Sequence, residues 1–311
     1  MTFDPQRFHG VFTALVTPFD GDGVDYPAFA RLTERQIAAG VAGLVPVGTT
    51  GEAATLSEEE AEQVIALTVR VTAGRALVMA GAGSNDTSRA VEKARRAEAA
   101  GADALLVVAP YYNRPTQRGL VAHFGAVADA TGLPVMLYSV PGRCGVEIAA
   151  ETCAELFARH GNIVGIKEAG GSVERVTRIR RLCGPDFVVH CGDDALTLPF
   201  LAAGAVGVTS VTSNFAPEAV VGLVNAWREG RWRDALAAHE ALAGLNEALF
   251  VESNPGPVKA ALALDGLAPA GMRAPMVEIA PSSLERLTAA IHDFRAQRGV
   301  FQETRQGERH A

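Results

Sequence analysis

Lys167 is the residue whose type and setting most directly suggest chemistry. It closes the apolar run Asn162-Ile163-Val164-Gly165-Ile166. In an extended strand it shares a face with Ile163 and Gly165, while Val164 and Ile166 take the other. If that face lines the inside of a barrel, the amine sits at the mouth of an apolar funnel, and Gly165 beneath it leaves room. Such surroundings disfavour the charged ammonium. The neutral amine is a nucleophile that forms a Schiff base with a ketone. Arginine cannot do this, because its guanidinium stays protonated. The contrast matters because only three of the 28 Lys and Arg residues are lysines: Lys93, Lys167 and Lys259. Lys93, within Glu92-Lys93-Ala94-Arg95-Arg96, reads as part of a solvated helix face. Lys259, near Pro255 and Pro257, reads as a structural contact. The plainer reading of Lys167 itself is a strand-end lysine paired with Glu168.

Other chemistry-bearing residues also follow apolar runs. Tyr138 ends one of them. A strand-end tyrosine usually packs, but within reach of Lys167 its phenol could relay protons. Thr49 and Thr50 lie in Gly48-Thr49-Thr50-Gly51-Glu52, a tight turn whose hydroxyls and N–H groups could bind a carboxylate or merely cap a loop. Arg143 follows the turn-forming Pro141-Gly142, and a guanidinium fork there would suit an anionic substrate. A surface salt bridge is the competing reading in an arginine-rich chain.

These residues need elements to position them. Eight short apolar runs read as strands: Val11–Thr17, Gly43–Val47, Ala76–Ala80, Ala104–Ala109, Val135–Tyr138, Ile163–Lys167, Phe187–Cys191 and Ala205–Val211. Helical patterns lie between them. Ser57 and Glu60 form a capping box ahead of the stripe Ala61, Val64, Ile65, Thr68 and Val71, and Gly74 ends that helix. A second helix runs from about Asp86 to Ala100 and closes at Gly101. Ser172 caps a third, with Val173, Val176 and Ile179 inward and a Glu174–Arg178 pair at i,i+4. Eight strand–helix units predict an α/β fold, a (β/α)8 TIM barrel, with a doubly wound sheet as the alternative. In such a barrel the site lies at the C-terminal strand ends. Ala216–Arg228 would be the eighth barrel helix. Trp232–Phe250, Pro257–Leu264 and Pro275–Arg298 would then form a helical domain, giving a division at 1–230 and 231–311, with a frayed tail from Gln302.

Composition removes several classes of function. The chain has 311 residues and a net charge of −7, with no basic stripe, so nucleic acid is a poor partner. No run of about 18 apolar residues spans a membrane. The first ten residues lack the apolar core of a secretory signal. Cys144, Cys153, Cys183 and Cys191 form no CxxC pair. His190 and Cys191 are adjacent and in a strand would face opposite ways, so no metal is expected and reduced thiols suit the cytoplasm.

Taken together in order, the motifs resemble one family. Gly48-Thr49-Thr50-Gly51-Glu52, Tyr111-Tyr112-Asn113, Tyr138 with Val140-Pro141 and Arg143, and Gly165-Ile166-Lys167-Glu168-Ala169 are similar to those of the dihydrodipicolinate synthases. These belong to the pyruvate-dependent class I aldolases, with N-acetylneuraminate lyase. The resemblance runs from about Gly10 to Ala280 and includes Phe250-Val251-Glu252, Asn254-Pro255 and Pro257-Val258-Lys259. It implies a homotetramer without a cofactor, acting on pyruvate and L-aspartate 4-semialdehyde. Lys167 matches the imine-forming lysine and Tyr138 the proton-shuttling tyrosine. Thr49 and Tyr112 match its relay partners, with Tyr112 entering a neighbouring subunit's site. Thr50 matches a pyruvate-carboxylate binder, Arg143 the semialdehyde-carboxylate arginine, and Thr209 a pyruvate-lining position that is usually a branched aliphatic. Arg143 and Tyr112 argue against the alternative, a lyase of sialic or 2-keto-3-deoxy sugar acids. Intact Lys167 and Tyr138 argue against a non-catalytic barrel. The family often has Asn at Ser139 and Thr or Ser at Cys144. Glu58 and Arg89 stand where lysine-inhibited relatives carry an aromatic or His and a Glu, so feedback inhibition by lysine is expected to be weak.

Overall fold

The computed structural model of the chain describes residues 3–308, with side chains through residue 297. All eight expected strands form, with modest changes at their ends. They are β1 Gly10–Ala14, β2 Gly43–Val45, β3 Leu77–Gly81, β4 Ala104–Val108, β5 Val135–Ser139, β6 Ile163–Glu168, β7 Val188–Cys191 and β8 Gly207–Ser210. Every neighbouring pair is parallel and β8 closes on β1, so the sheet is a closed barrel and not an open one. The strands are buried on both faces, which is why they appear as continuous apolar runs. A hairpin of Phe19–Asp20 and Gly23–Val24 was not foreseen. Each of its strands has two residues, too few to carry a pattern.

The barrel helices are α1 Tyr26–Ala38, α2 Glu58–Thr72, α3 Thr87–Ala99, α4 Gln117–Asp129, α5 Ala150–Arg159, α6 Val173–Cys183, α7 Thr197–Ala202 and α8 Pro217–Arg228. The α2 capping box forms in both directions: Glu60 N–H donates to Ser57 Oγ at 3.2 Å, and Ser57 N–H to Glu60 Oε2 at 2.9 Å. That helix turns left-handed at Ala73 (φ 47°), one residue before Gly74. Two expectations for α6 fail. Ser172 occupies the N-cap position but makes no capping bond. Arg178 pairs with Glu151 on α5 instead of Glu174, since the packed neighbouring helix offers a partner as close as the next turn.

Three helices follow the barrel: α9 Trp232–Ala248, α10 Gly256–Leu264 and α11 Pro281–Glu308. The last begins at Pro281 instead of Pro275, with proline in the first turn, where its missing N–H costs nothing. It continues past Gln302, where a frayed tail was expected; residues 309–311 lie outside the described residues. Among the described residues, no helix is long and apolar enough to cross a membrane.

Candidate active site

Lys167 lies in β6, directly across from Tyr138 in β5 and His190 in β7. It is 5% exposed, and its Nζ stands 4.3 Å from the centroid of the Tyr138 ring. Its stem runs towards the C-terminal mouth past Gly192, where a Cβ would come within 3.0 Å of Lys167 Cε. A side chain at 192 would therefore press on the lysine. Gly165 has a different purpose from the one expected. A Cβ there would lie 2.3 Å from the Val188 carbonyl oxygen, so it permits close approach of β6 and β7 instead of opening space under the amine.

The ion-pair reading of Lys167 is not realised. The next residue along the strand faces outward, and Glu168 is committed there. It accepts from Arg175 at 2.9 Å and from the Gly170 N–H at 2.7 Å. Burial pushes the Glu168 carboxyl above its usual range, against the pull of Arg175. Among the described residues Lys167 forms no ion pair.

The turn after β2 supplies Thr49 and Thr50, braced from the C-terminal helices. Glu52 is left-handed (φ 54°) and accepts from Lys259 Nζ at 2.6 Å and from the Arg273 N–H at 3.3 Å. Lys259 is 1% exposed, donates also to the Thr17 carbonyl at 2.9 Å and sits 4.4 Å from the Phe19 ring. It is the structural contact expected from the sequence. Burial lowers its pKa, with Glu52 opposing.

Asn254 ties Thr50 and Arg143 together, and the sequence reading assigned it no role. Its Nδ2 donates to Thr50 Oγ1 at 3.0 Å, and its carbonyl accepts from Arg143 at 3.1 Å. Thr50 therefore keeps its hydroxyl proton for another acceptor. The Oδ1 of Asn254 is buried without a partner. The only sequence signal was its place in the Asn254-Pro255 motif. Arg143 itself rides on a short helical turn, Pro141–Cys144, at the end of β5.

A cavity of about 630 Å³ opens at the strand ends, with Lys167, Tyr138, Thr49, Thr50, Arg143 and Asn254 on its wall. Residues of α9, including His239 and Asn246, cover one side. A second cavity of about 360 Å³ shares Thr49, Tyr138, Arg143 and Asn254 with the first and is lined also by Tyr111, Cys144 and Lys93. Lys93 is thus half-buried at a cavity wall instead of being fully solvated, because it reaches inward from α3. Burial pushes the Cys144 thiol up to about 11, so it stays protonated. Glu58 pairs with Arg96 across α2 and α3.

Two expected site residues lie apart from this group. Tyr112 is 90% exposed and left-handed (φ 71°) at the tip of its loop. Thr209 is fully buried inside β8 and bonds His190 Nδ1 at 3.0 Å; it does not reach the wall of the larger cavity. Among the described residues, no group of three or more His, Cys, Asp or Glu could hold a metal ion.

The profile of the dihydrodipicolinate synthetase family matches residues 7–294. The chain belongs to this family. It is 48% identical over 290 residues to the 4-hydroxy-tetrahydrodipicolinate synthase of Gluconacetobacter diazotrophicus, covering 93% of this chain and 97% of that one. The solved 4-hydroxy-tetrahydrodipicolinate synthase of Methylacidiphilum fumariolicum SolV superposes with a TM-score of 0.94 at 44% identity, covering 95% and 99% of the two chains. The dihydrodipicolinate synthase of Acinetobacter baumannii, solved with pyruvate, gives 0.89 at 41%, covering 92% and 98%. In this family member the threonine turn after β2, the tyrosine and arginine of β5 and its following turn, and the lysine of β6 converge on one mouth.

Proposed function

We propose that the chain is a 4-hydroxy-tetrahydrodipicolinate synthase, which condenses pyruvate with L-aspartate 4-semialdehyde through an imine on Lys167. The observation that carries this is an unpaired lysine against Tyr138, with Arg143 and Thr50 joined through Asn254 across the same cavity. Lys167 Nζ attacks the keto carbon of pyruvate, whose carboxylate accepts from the Thr50 hydroxyl. The carbinolamine loses water and leaves an iminium. Its electron demand lets a methyl proton depart, giving an enamine. Tyr138 moves these protons, with Thr49 and Tyr112 as its relay partners.

The enamine carbon then attacks the aldehyde carbon. A carbon–carbon bond forms and the aldehyde oxygen becomes a hydroxyl. Arg143 holds the semialdehyde carboxylate with a charge-assisted fork. Finally the substrate's own amine displaces Lys167 and closes the ring, so one water is lost overall. No cofactor or metal is called for by these steps.

In this reading the enzyme is a cytoplasmic homotetramer, and the exposed, strained Tyr112 completes the relay in a neighbouring subunit. Thr209 is assigned to the pyruvate side through its hydrogen bond to His190. Arg89 would repel an ammonium ligand, so lysine feedback is weak; strong inhibition by sub-millimolar L-lysine would count against this. The competing reading, cleavage of a sialic or 2-keto-3-deoxy sugar acid, is disfavoured by Arg143. Parallel assays of condensation and of sugar-acid cleavage test the choice. Condensation alone is expected, and cleavage without condensation would reverse the assignment.

A further inference from the structure

Beneath Lys167 lies a buried polar chain to which the mechanism gives no chemical step. His190 is fully buried. Its Nε2 lies 2.5 Å from the Phe8 carbonyl oxygen, and its Nδ1 lies 3.0 Å from Thr209 Oγ1. The Phe12 ring meets it edge-on at 5.0 Å. A carbonyl can only accept, so Nε2 carries the proton. Nδ1 must then accept, and the Thr209 hydroxyl donates to it. Burial pushes His190 down to about 4, so the ring is neutral near pH 7.

Strand register gives this chain a direction. His190 pairs with Gly207, and Gly207 with Gly10. Phe8 lies two residues before Gly10, towards the closed end of the barrel. Thr209 lies two residues beyond Gly207, towards the mouth. Both protons therefore point down. The Nδ1 lone pair and the Thr209 oxygen form the negative ends, and they point up. Lys167 is the in-register neighbour of His190, and its stem runs towards the same mouth.

We propose that His190 and Thr209 are an electrostatic positioning pair, whose aligned dipoles stabilise the positive charge that appears on Lys167 nitrogen when the keto-acid iminium forms. The inference rests on the imine reading of Lys167. Imine formation joins amine to ketone, expels water and leaves a cationic nitrogen. A preorganised dipole whose negative end faces the mouth where that nitrogen sits favours product over neutral reactants without reorganising. Hydrogen bonds in series polarise one another and strengthen the effect. The side-chain types fit the role, since two apolar residues would fill the same floor but supply no field.

The test compares Thr209→Ser, which keeps the hydroxyl, with Thr209→Val, which keeps the shape. The readout is the equilibrium constant for the pyruvate imine, from borohydride trapping across pyruvate concentrations, beside Tm. The expected result is near wild-type imine formation in Thr209→Ser and about fivefold weaker formation in Thr209→Val, a fraction of what a direct charge-stabilising donor supplies. A packing role gives the reverse order, with Val equal to or better than Ser, and would overturn the proposal. Nitrogen-15 spectra of the wild-type protein are a second check that needs no variant. Protonated Nε2 and bare Nδ1, both shifting when pyruvate is added, are expected. A protonated Nδ1, or no response to pyruvate, would overturn it. If the wild-type protein traps no pyruvate at all, the imine reading fails first.

Discussion

At the residue scale, the proposed mechanism assigns different groups to the two substrates, and substitutions should separate them. Arg143→Ala removes the fork proposed for the semialdehyde carboxylate and leaves Lys167 and Thr50 in place. Its kcat/KM for the semialdehyde should fall about 100-fold, the value of a charge-assisted hydrogen bond, while pyruvate trapping stays near wild type. An unchanged semialdehyde rate would remove Arg143 from the site. Asn254→Ala frees the Thr50 hydroxyl to rotate, so KM for pyruvate should rise about tenfold with a smaller change for the semialdehyde. Lys167, Tyr138 and Arg143 were legible in the sequence because each ends or follows an apolar run. Asn254 was not, because its partners Thr50 and Arg143 are 204 and 111 residues away. His190 was read only as an unpromising metal ligand, since nothing local shows that Phe8 and Thr209 will satisfy both its nitrogens.

The His190 environment also fixes a pH effect on stability. Its pKa falls from 6.5 unfolded to about 4 folded, so between these values the unfolded chain binds more protons. Stability therefore rises with pH across that window and is lost as pH falls through it, by about 3 kcal/mol. His9, His123 and His239 are lowered too, and act in the same direction. The difference in unfolding free energy between wild type and His190→Leu, measured from pH 7 to 4, should shrink as pH falls. A constant difference would mean that His190 titrates normally in the folded state.

At the element scale, the turn after β2 depends on a helix that comes more than 200 residues later. Glu52 and Lys259 form a buried pair joining that turn to α10. Removing one partner strands the other charge. Lys259→Met should cost about 3–5 kcal/mol in unfolding free energy and weaken pyruvate binding through Thr49 and Thr50. The double change Glu52→Leu with Lys259→Met should recover part of the stability. Calorimetry on both variants checks this, and a neutral single variant would show that the pair is not a brace. The eight strands were legible because a parallel barrel buries both faces of each one. The start of α11 was displaced from Pro275 to Pro281, because proline rules permit either position and the choice lies in contacts such as Glu252 accepting from the Ala280 N–H.

At the scale of the whole molecule, the two remaining expectations concern neighbours. Tyr112 is exposed in the single chain, although the proposed mechanism uses it. If it completes a neighbouring site, subunits carrying Lys167→Ala and subunits carrying Tyr112→Phe should regain activity when mixed and exchanged. Sedimentation should also report a tetramer. A fully active monomer, or no recovery on mixing, would place Tyr112 outside the relay. Association could not be read from residue patterns alone, because a self-complementary surface has no signature as local as a strand or a cap.

All three scales converge on one nitrogen. Incubation with pyruvate and borohydride, followed by peptide mass analysis, tests it directly. The account predicts a single reduced pyruvate adduct on Lys167, absent in Lys167→Ala and still formed in Arg143→Ala. An adduct on Lys93 or Lys259 instead, or no adduct with active protein, would contradict it.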